Sequence, residues 1–271
     1  TYGAVWERNW FKVNEVELGF ESLPEGFDGY RIVHISDIHA RSFVGREKHL
    51  ERAADIINSL DADLVAFTGD LISMAPDELE STASILRRIS AKDGVVSVLG
   101  NHDYSPYTDV DEETRKRYVE ELVRTEKGMG WNLLIDSHEK ICRGEDSIAV
   151  IGVQNISPSR HFHSQGDLSK ASEGTEGMFS ILLSHDPMHW EAEVLGKDIP
   201  LTLSGHTHAM QMSLLGWSPS SLIFRQNKGL YSSNGKHLYV NVGLGETIFP
   251  ARIGARPEIT LITLTKQSNK L

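Results

Sequence analysis

The chain has 271 residues, of which 39% are hydrophobic and 8% aromatic, and carries a formal net charge of −11. That length and apolar content suit one large α/β domain that buries its own core, and exclude disordered and collagen-like classes. The acidic balance argues against binding duplex nucleic acid, which needs clustered Lys and Arg, and a single cysteine, Cys142, excludes an intrachain disulfide and a zinc site built from thiolates.

The sequence begins at Thr1, and no apolar run is long enough for a transmembrane helix or a signal-peptide core. Trp6 to Lys12 mixes aromatic and basic residues, as membrane-side segments do, so residues 1–17 are expected to be membrane-proximal in a longer, membrane-associated form, with this chain itself soluble. The same residues also read as a first strand packing its aromatic side chains on the domain. Next come a strand at Arg31–Ile35, a helix from Arg46 to Leu60, a strand at Leu64–Phe67 and a helix from Pro76 to Ile89. A strand at Val95–Leu99 and a charged helix from Asp111 to about Lys127 complete an alternating first half. Ser164 to Gly177 reads as a long surface loop. The second half is largely β, with strands at Ser147–Val153, Phe179–Leu183, Leu201–Leu203, Leu238–Val242 and Glu258–Leu264.

Five of these apolar runs end in residues that bind metals. Ile35-Ser36 leads to Asp37-Ile38-His39, Phe67-Thr68 to Gly69-Asp70, and Leu99 to Gly100-Asn101-His102-Asp103. Later, Leu183-Ser184 leads to His185, and Leu203-Ser204 to Gly205-His206-Thr207-His208. Ligands gather at the carboxyl ends of strands in open α/β sheets. Alternate residues of an extended segment point the same way, so Asp37 with His39, and His206 with His208, are each expected to present two ligands in one direction. Each block alone is weak, since Gly-Asp is usually a turn and Asn-His-Asp is usually loop capping. Five in order carry the argument.

The ordered set resembles the calcineurin-like metallophosphoesterases, whose blocks are Asp-x-His, Gly-Asp, Gly-Asn-His-Asp or -Glu, a lone His, and Gly-His-x-His. The tail Tyr239 to Gly245 with Arg256 to Ile259 is similar to a bacterial subgroup that often carries an N-terminal membrane anchor. One departure stands out: that subgroup commonly continues Gly-His-Thr-His with Gly-Gly-Gln, whereas this chain has Ala209-Met210-Gln211, side chains expected to narrow the pocket rim. The resemblance implies a four-layer α/β/β/α metallophosphoesterase sandwich, with residues 1–271 forming one catalytic domain. It also implies two divalent ions, one on Asp37, His39 and His208, the other on Asn101, His185 and His206, with Asp70 bridging them. Mixed nitrogen and oxygen ligands suit Mn, Fe or Zn.

The implied reaction is hydrolysis of a phosphate ester by a hydroxide held on the two ions, which also neutralise phosphoryl charge. His102 is left over by this ligand scheme and is assigned as general acid or transition-state stabiliser. Asp103 is assigned to orient the His102 ring, with turn capping as its other reading. Arg160, His161 and His163 are candidates for substrate recognition or for a solvated loop, and His34 and His189 read as structural. The expected substrate is a small or lipid-linked phosphodiester or pyrophosphate ester. A phosphomonoesterase, including one acting on phosphoprotein, and a non-catalytic scaffold with the same fold are the readings left open.

Overall fold

The computed structural model describes residue 3, residues 6–247 and residues 249–267. Twelve strands form among them: β1 (Lys12–Phe20), β2 (Arg31–Ile35), β3 (Leu64–Phe67), β4 (Val95–Ser97), β5 (Asn132–Leu133), β6 (Ser137–Arg143), β7 (Asp146–Gly152), β8 (Phe179–Leu183), β9 (Leu201–Ser204), β10 (Gly229–Ser233), β11 (Lys236–Val240) and β12 (Glu258–Lys266). They make two six-stranded mixed sheets, in the orders β1-β12-β2-β3-β4-β5 and β10-β11-β9-β8-β7-β6. β2, β3 and β4 run parallel in the first sheet, and β7, β8 and β9 in the second.

The layering follows from the two-residue period of the strands, which sends alternate side chains to opposite faces. Ile32, Leu64 and Ala66 pack with Ile148, Val150, Ile181 and Leu183 in a core between the two sheets. Their neighbours Val33, Ile35, Val65 and Phe67 face the other way, onto Leu50, Ala53, Ala54 and Ile57 of the helix Glu47–Ser59. On the far side, Ala149, Ile151 and Leu182 pack on Leu168 and Ala171 of the helix Leu168–Ala171 and on Trp190 of the helix Met188–Ala192. The strands in the middle are therefore apolar on both faces. This is the four-layer α/β/β/α sandwich, one domain, that the resemblance implied.

Several local expectations change. The helix from Pro76 to Ile89 is broken into a 3-10 turn at Pro76–Leu79 and a single helical turn at Ala83–Leu86. Between them the Thr82 hydroxyl donates back to Glu78 O, while the Glu78 carboxylate is taken by the N–H groups of Ser73, Met74 and Ala75. The segment Ser164 to Gly177 is not all loop: Asp167 caps the helix Leu168–Ala171 by accepting from Lys170 N–H. The strand expected over Trp6–Lys12 begins at Lys12. Phe11 is buried in the core under the first sheet, whereas Trp6 and Trp10 are exposed. Residues 1, 2, 4 and 5 of the expected membrane-proximal segment lie outside the described residues. Among the described residues no helix is long and apolar enough to cross a membrane.

Candidate metal centre

The carboxyl ends of β2, β3 and β4 in one sheet and of β8 and β9 in the other open onto the same edge of the sandwich. Backbone bonds carry the chain past the strand ends: Asp37 N–H donates to Gly69 O at 2.9 Å, His39 N–H to Asp70 O at 3.0 Å, and Gly205 N–H to His185 O at 3.0 Å. Asp37, His39, Asp70, His206 and His208 all adopt left-handed backbone, with φ of +49, +43, +59, +72 and +50°. Conformations that L-residues avoid persist only where their surroundings impose them, and they cluster at functional sites. Extended alternation is thus not what turns Asp37 and His39 together, as the sequence suggested; a left-handed step at each residue does it. The glycines of the blocks are needed for close approach. A Cβ on Gly100 would meet Asp70 Oδ1 at 2.2 Å, and one on Gly205 would meet Ser36 Oγ at 1.9 Å and Asp37 Oδ2 at 2.2 Å.

Two groups of ligand-type atoms result: Asp37, His39 and His208, and Asp70, His185 and His206, each with its atoms within 4.8 Å of one another. In the first, His208 Nε2 lies 3.1 Å from Asp37 Oδ1 and from His39 Nε2. In the second, His206 Nδ1 lies 3.3 Å from His185 Nε2. Asp70 Oδ2 faces both, 3.6 Å from His39 Nε2 and 3.2 Å from His185 Nε2, while its Oδ1 accepts the His102 N–H at 2.8 Å.

The charge balance of these buried groups is that of a cation site. Burial lowers His39 well below the usual range, with His102 adding to the effect, and pushes His206 down to about 4. Neutral imidazoles keep the lone pair that a metal requires. Burial alone would raise Asp70, but the His185 and His102 imidazoles outweigh it and hold the carboxyl well below its ordinary value. His185 goes the other way: burial lowers it, yet the Asp70 carboxylate prevails and pushes it up to about 10. One buried acceptor of the centre, Asn101 Oδ1, has no hydrogen-bond partner among the described residues. An orphaned acceptor beside clustered carboxylates and imidazoles is what a divalent ion would satisfy, and the donor set fits such ions.

Asp103 departs from its assignment to His102. Its Oδ2 accepts the N–H groups of Asp70 and Gly100, both at 2.8 Å, and its Oδ1 those of Leu71 and Ile72, at 2.8 and 3.2 Å. It clamps the loop after β3 to the loop after β4, as a capping carboxylate. The ring of His102 is held instead by Ser73 O, 2.8 Å from Nδ1. That carbonyl can only accept, so Nδ1 carries the proton and Nε2 is the nitrogen left for the cavity. Burial, then repulsion from Asp70, pushes Asp103 up to about 7 against the pull of its four N–H donors. Cations beside Asp70 would cancel the repulsion.

Asp70, Asn101, His102, His206 and His208 line a cavity of about 420 Å³ whose other walls include Tyr107, Phe162, Met210, Ile223 and Phe224. The segment carrying Arg160, His161 and His163 reaches the site through Phe162, whose ring lies 4.4 Å from that of His206. His163 turns away, stacked on Tyr104 at 4.0 Å, and His161 is exposed. His34, buried and pushed down to about 3 by desolvation, bonds Thr68 Oγ1 at 2.9 Å and is structural, as expected. Ala209 and Met210 have φ of +49 and +48°, a backbone region that favours glycine, and Met210 lines the cavity. Sequence reading passed over Arg252, wholly buried beneath the centre. Its guanidinium donates to the carbonyls of Val242, Gly243, Gly245 and Ala255 and lies 3.4 Å from His208 Nδ1. Nothing in its spacing marks it out, since it follows none of the five blocks.

Residues 30–210 match the family model of the calcineurin-like phosphoesterases. The chain belongs to this family. A transmembrane protein with metallophosphoesterase domain from Danio rerio is 38% identical over 97% of this chain, which spans 59% of that protein's length. The uncharacterized metallophosphoesterase YkuE of Bacillus subtilis is 30% identical over 97% of this chain and 88% of its own. UDP-2,3-diacylglucosamine pyrophosphatase LpxG of Chlamydia muridarum is 26% identical over 82% of this chain and 81% of its own. Among solved structures, the sulfate thiohydrolase SoxB shares the fold, with a TM-score of 0.50 at 13% identity over 90% of this chain and 57% of its own. As a calcineurin-like phosphoesterase, the chain is of a metal-dependent hydrolase class, and its two ligand groups agree with that.

Proposed function

We propose that this calcineurin-like phosphoesterase hydrolyses a phosphodiester or pyrophosphate ester at two divalent ions drawn from Mn, Fe and Zn. Asp37, His39 and His208 would hold one ion, Asn101, His185 and His206 the other, and Asp70 would bridge them. The single observation that carries this reading is Asp70 Oδ2, one carboxylate oxygen within 3.6 Å of a nitrogen in each group. Ions bound there supply Lewis acidity toward the phosphoryl oxygens and toward water. The side chains do the rest. With Nδ1–H tied to Ser73 O, His102 presents Nε2 to the cavity and, when that nitrogen also carries a proton, gives it to the departing oxygen and returns to the neutral ring. Asn101, neutral and fixed by its Nδ2 donating to Tyr107 at 3.1 Å, offers Oδ1 as a ligand without adding negative charge.

Two features favour an ester with groups on both sides of the phosphorus. The cavity over Asp70 has apolar walls, and a second cavity of about 510 Å³ shares His102 but is lined by Arg8, Arg41 and Arg46, with Glu246 the only carboxylate among its lining residues. An apolar moiety on one side and a second anionic group on the other fit these surfaces, and the relative named as a pyrophosphatase is of the same kind. A lipid-linked ester at a membrane is the substrate class this favours. The test is metal analysis of purified protein followed by paired assays on chromogenic mono- and diesters with and without manganese. Two ions per chain and faster diester turnover are expected. A metal-free protein without turnover would favour the scaffold, and monoester preference the phosphomonoesterase.

A further inference from the structure

No aspartate or glutamate lies between Asp198 and Glu246, in a chain that has 38 of them. Within that stretch, residues 212–224 form a loop beside the cavity. Leu214, Leu215, Trp217, Leu222 and Ile223 are 74, 101, 55, 79 and 64% exposed. Monomeric surfaces rarely concentrate large apolar side chains in this way without a use for them. Leu214 and Trp217 exchange backbone bonds, N–H to O at 2.8 and 3.0 Å, around a two-residue turn of Leu215 and Gly216 with φ of +49 and +88°. Such a turn ordinarily takes Asn-Gly. A leucine there strains its backbone, and being wholly exposed it gains no packing in return.

The base of the loop, by contrast, is fixed. Ser213 N–H donates to Ile253 O at 2.8 Å, and Ser218 Oγ to Ala209 O at 2.5 Å. Met212 and Ile253, bridged at the same base, are 40 and 50% exposed. The tip is therefore an apolar point on a hydrogen-bonded stem, and Ile223 near its end lines the cavity with Asp70 and His206. The nearby cations are Arg225, which pairs with Glu191 at 2.9 Å, and Lys228, which donates to Ser213 Oγ.

We propose that this loop inserts into the surface of a lipid bilayer. Leucine and tryptophan at the tip and serines at the base match the order of acyl chains and interface, and with Arg225 already paired to Glu191, Lys228 is the cation left at the base for anionic headgroups. The net charge of −11 lies outside the part that would enter the bilayer, since residues 212–224 contain no charged side chain. Docking is independent of turnover. Only its consequence, a cavity held at headgroup level, rests on the phosphoesterase reading.

The experiment is co-sedimentation with vesicles of phosphatidylcholine, alone or mixed with phosphatidylglycerol. The chain is expected to bind, more strongly to the mixture, and Leu214→Ser/Leu215→Ser/Trp217→Ser to lose about tenfold or more in partitioning. Trp217→Phe, which keeps the apolar tip, should bind normally but lose the component of tryptophan fluorescence that brominated lipid quenches. A chain that stays in the supernatant with both lipids overturns the proposal. So does a triple variant that sediments like the parent, or light scattering that shows a dimer abolished in that variant, which would make a second copy the occupant. Turnover of a soluble diester without lipid reads the metal site separately: its absence would sink the phosphoesterase reading and leave sedimentation to decide docking.

Discussion

Asp103→Asn separates two roles for a residue that stands next to His102. The carboxylate accepts four backbone N–H groups, two on each oxygen, from Asp70, Leu71, Ile72 and Gly100. Asparagine keeps one accepting oxygen and puts an NH₂ group in place of the other, so at least two buried donors lose their acceptor. Each such donor costs about 1–3 kcal/mol, giving a loss of ~2–6 kcal/mol. That is a large share of the ~5–15 kcal/mol by which a domain is stable. Whichever oxygen is replaced, the orphaned donors include Asp70 N–H or those of its neighbours Leu71 and Ile72, so the carboxylate facing both ligand groups should shift and bound metal should fall. Urea unfolding followed by circular dichroism, with metal analysis alongside, measures both. The shape of the pH–rate profile of the residual activity should be unchanged, since His102 is held by Ser73 and not by Asp103. An Asp103→Asn protein with parental urea midpoint and metal content but a 10²-fold lower kcat would refute the clamp and restore the orienting role.

Asp70→Asn should lower bound metal and remove most turnover, because both groups lose their common oxygen; unchanged stoichiometry by elemental analysis would contradict the bridge. His102→Ala should keep its metal and lose about 10²–10⁴-fold on a poor leaving group, and less on nitrophenolate. Equal losses on both would assign His102 to phosphoryl charge instead. Burial, with Asp103 adding repulsion, raises Glu126 from 4.5 to about 8. Between those values the folded chain holds a proton that the unfolded chain has released, so stability falls as pH rises through that window. Glu126→Gln should flatten this fall, gaining ~1 kcal/mol or more on the parent between pH 5 and 9 in urea titrations; parallel curves would refute it. Leu215→Asn should relieve the left-handed backbone by ~1 kcal/mol and raise Tm by ~2–4 °C, and a lower Tm would show that the leucine packs against something.

What the sequence determined by itself is the middle of each sheet and the set of residues that meet in the candidate site. The eight inner strands, β2, β3, β4, β7, β8, β9, β11 and β12, are apolar because they are covered on both faces, and each showed as an apolar run. The five polar blocks showed because each stops such a run at its carboxyl end. The four strands that escaped or were misplaced, β1, β5, β6 and β10, are the four sheet edges. An edge strand is half solvated and kept polar against unwanted pairing, so Ser137–Arg143 and Gly229–Ser233 carry little hydrophobic signal and acquire their conformation from a neighbour already in place. Tertiary structure also decided how the ligand groups meet. The left-handed turns at Asp37, Asp70 and His206, the clamp at Asp103, Arg252 beneath the centre and Phe162 at its mouth all arise from contacts between segments far apart in the chain. Such contacts exist only once the two sheets have packed and brought their carboxyl ends to one edge.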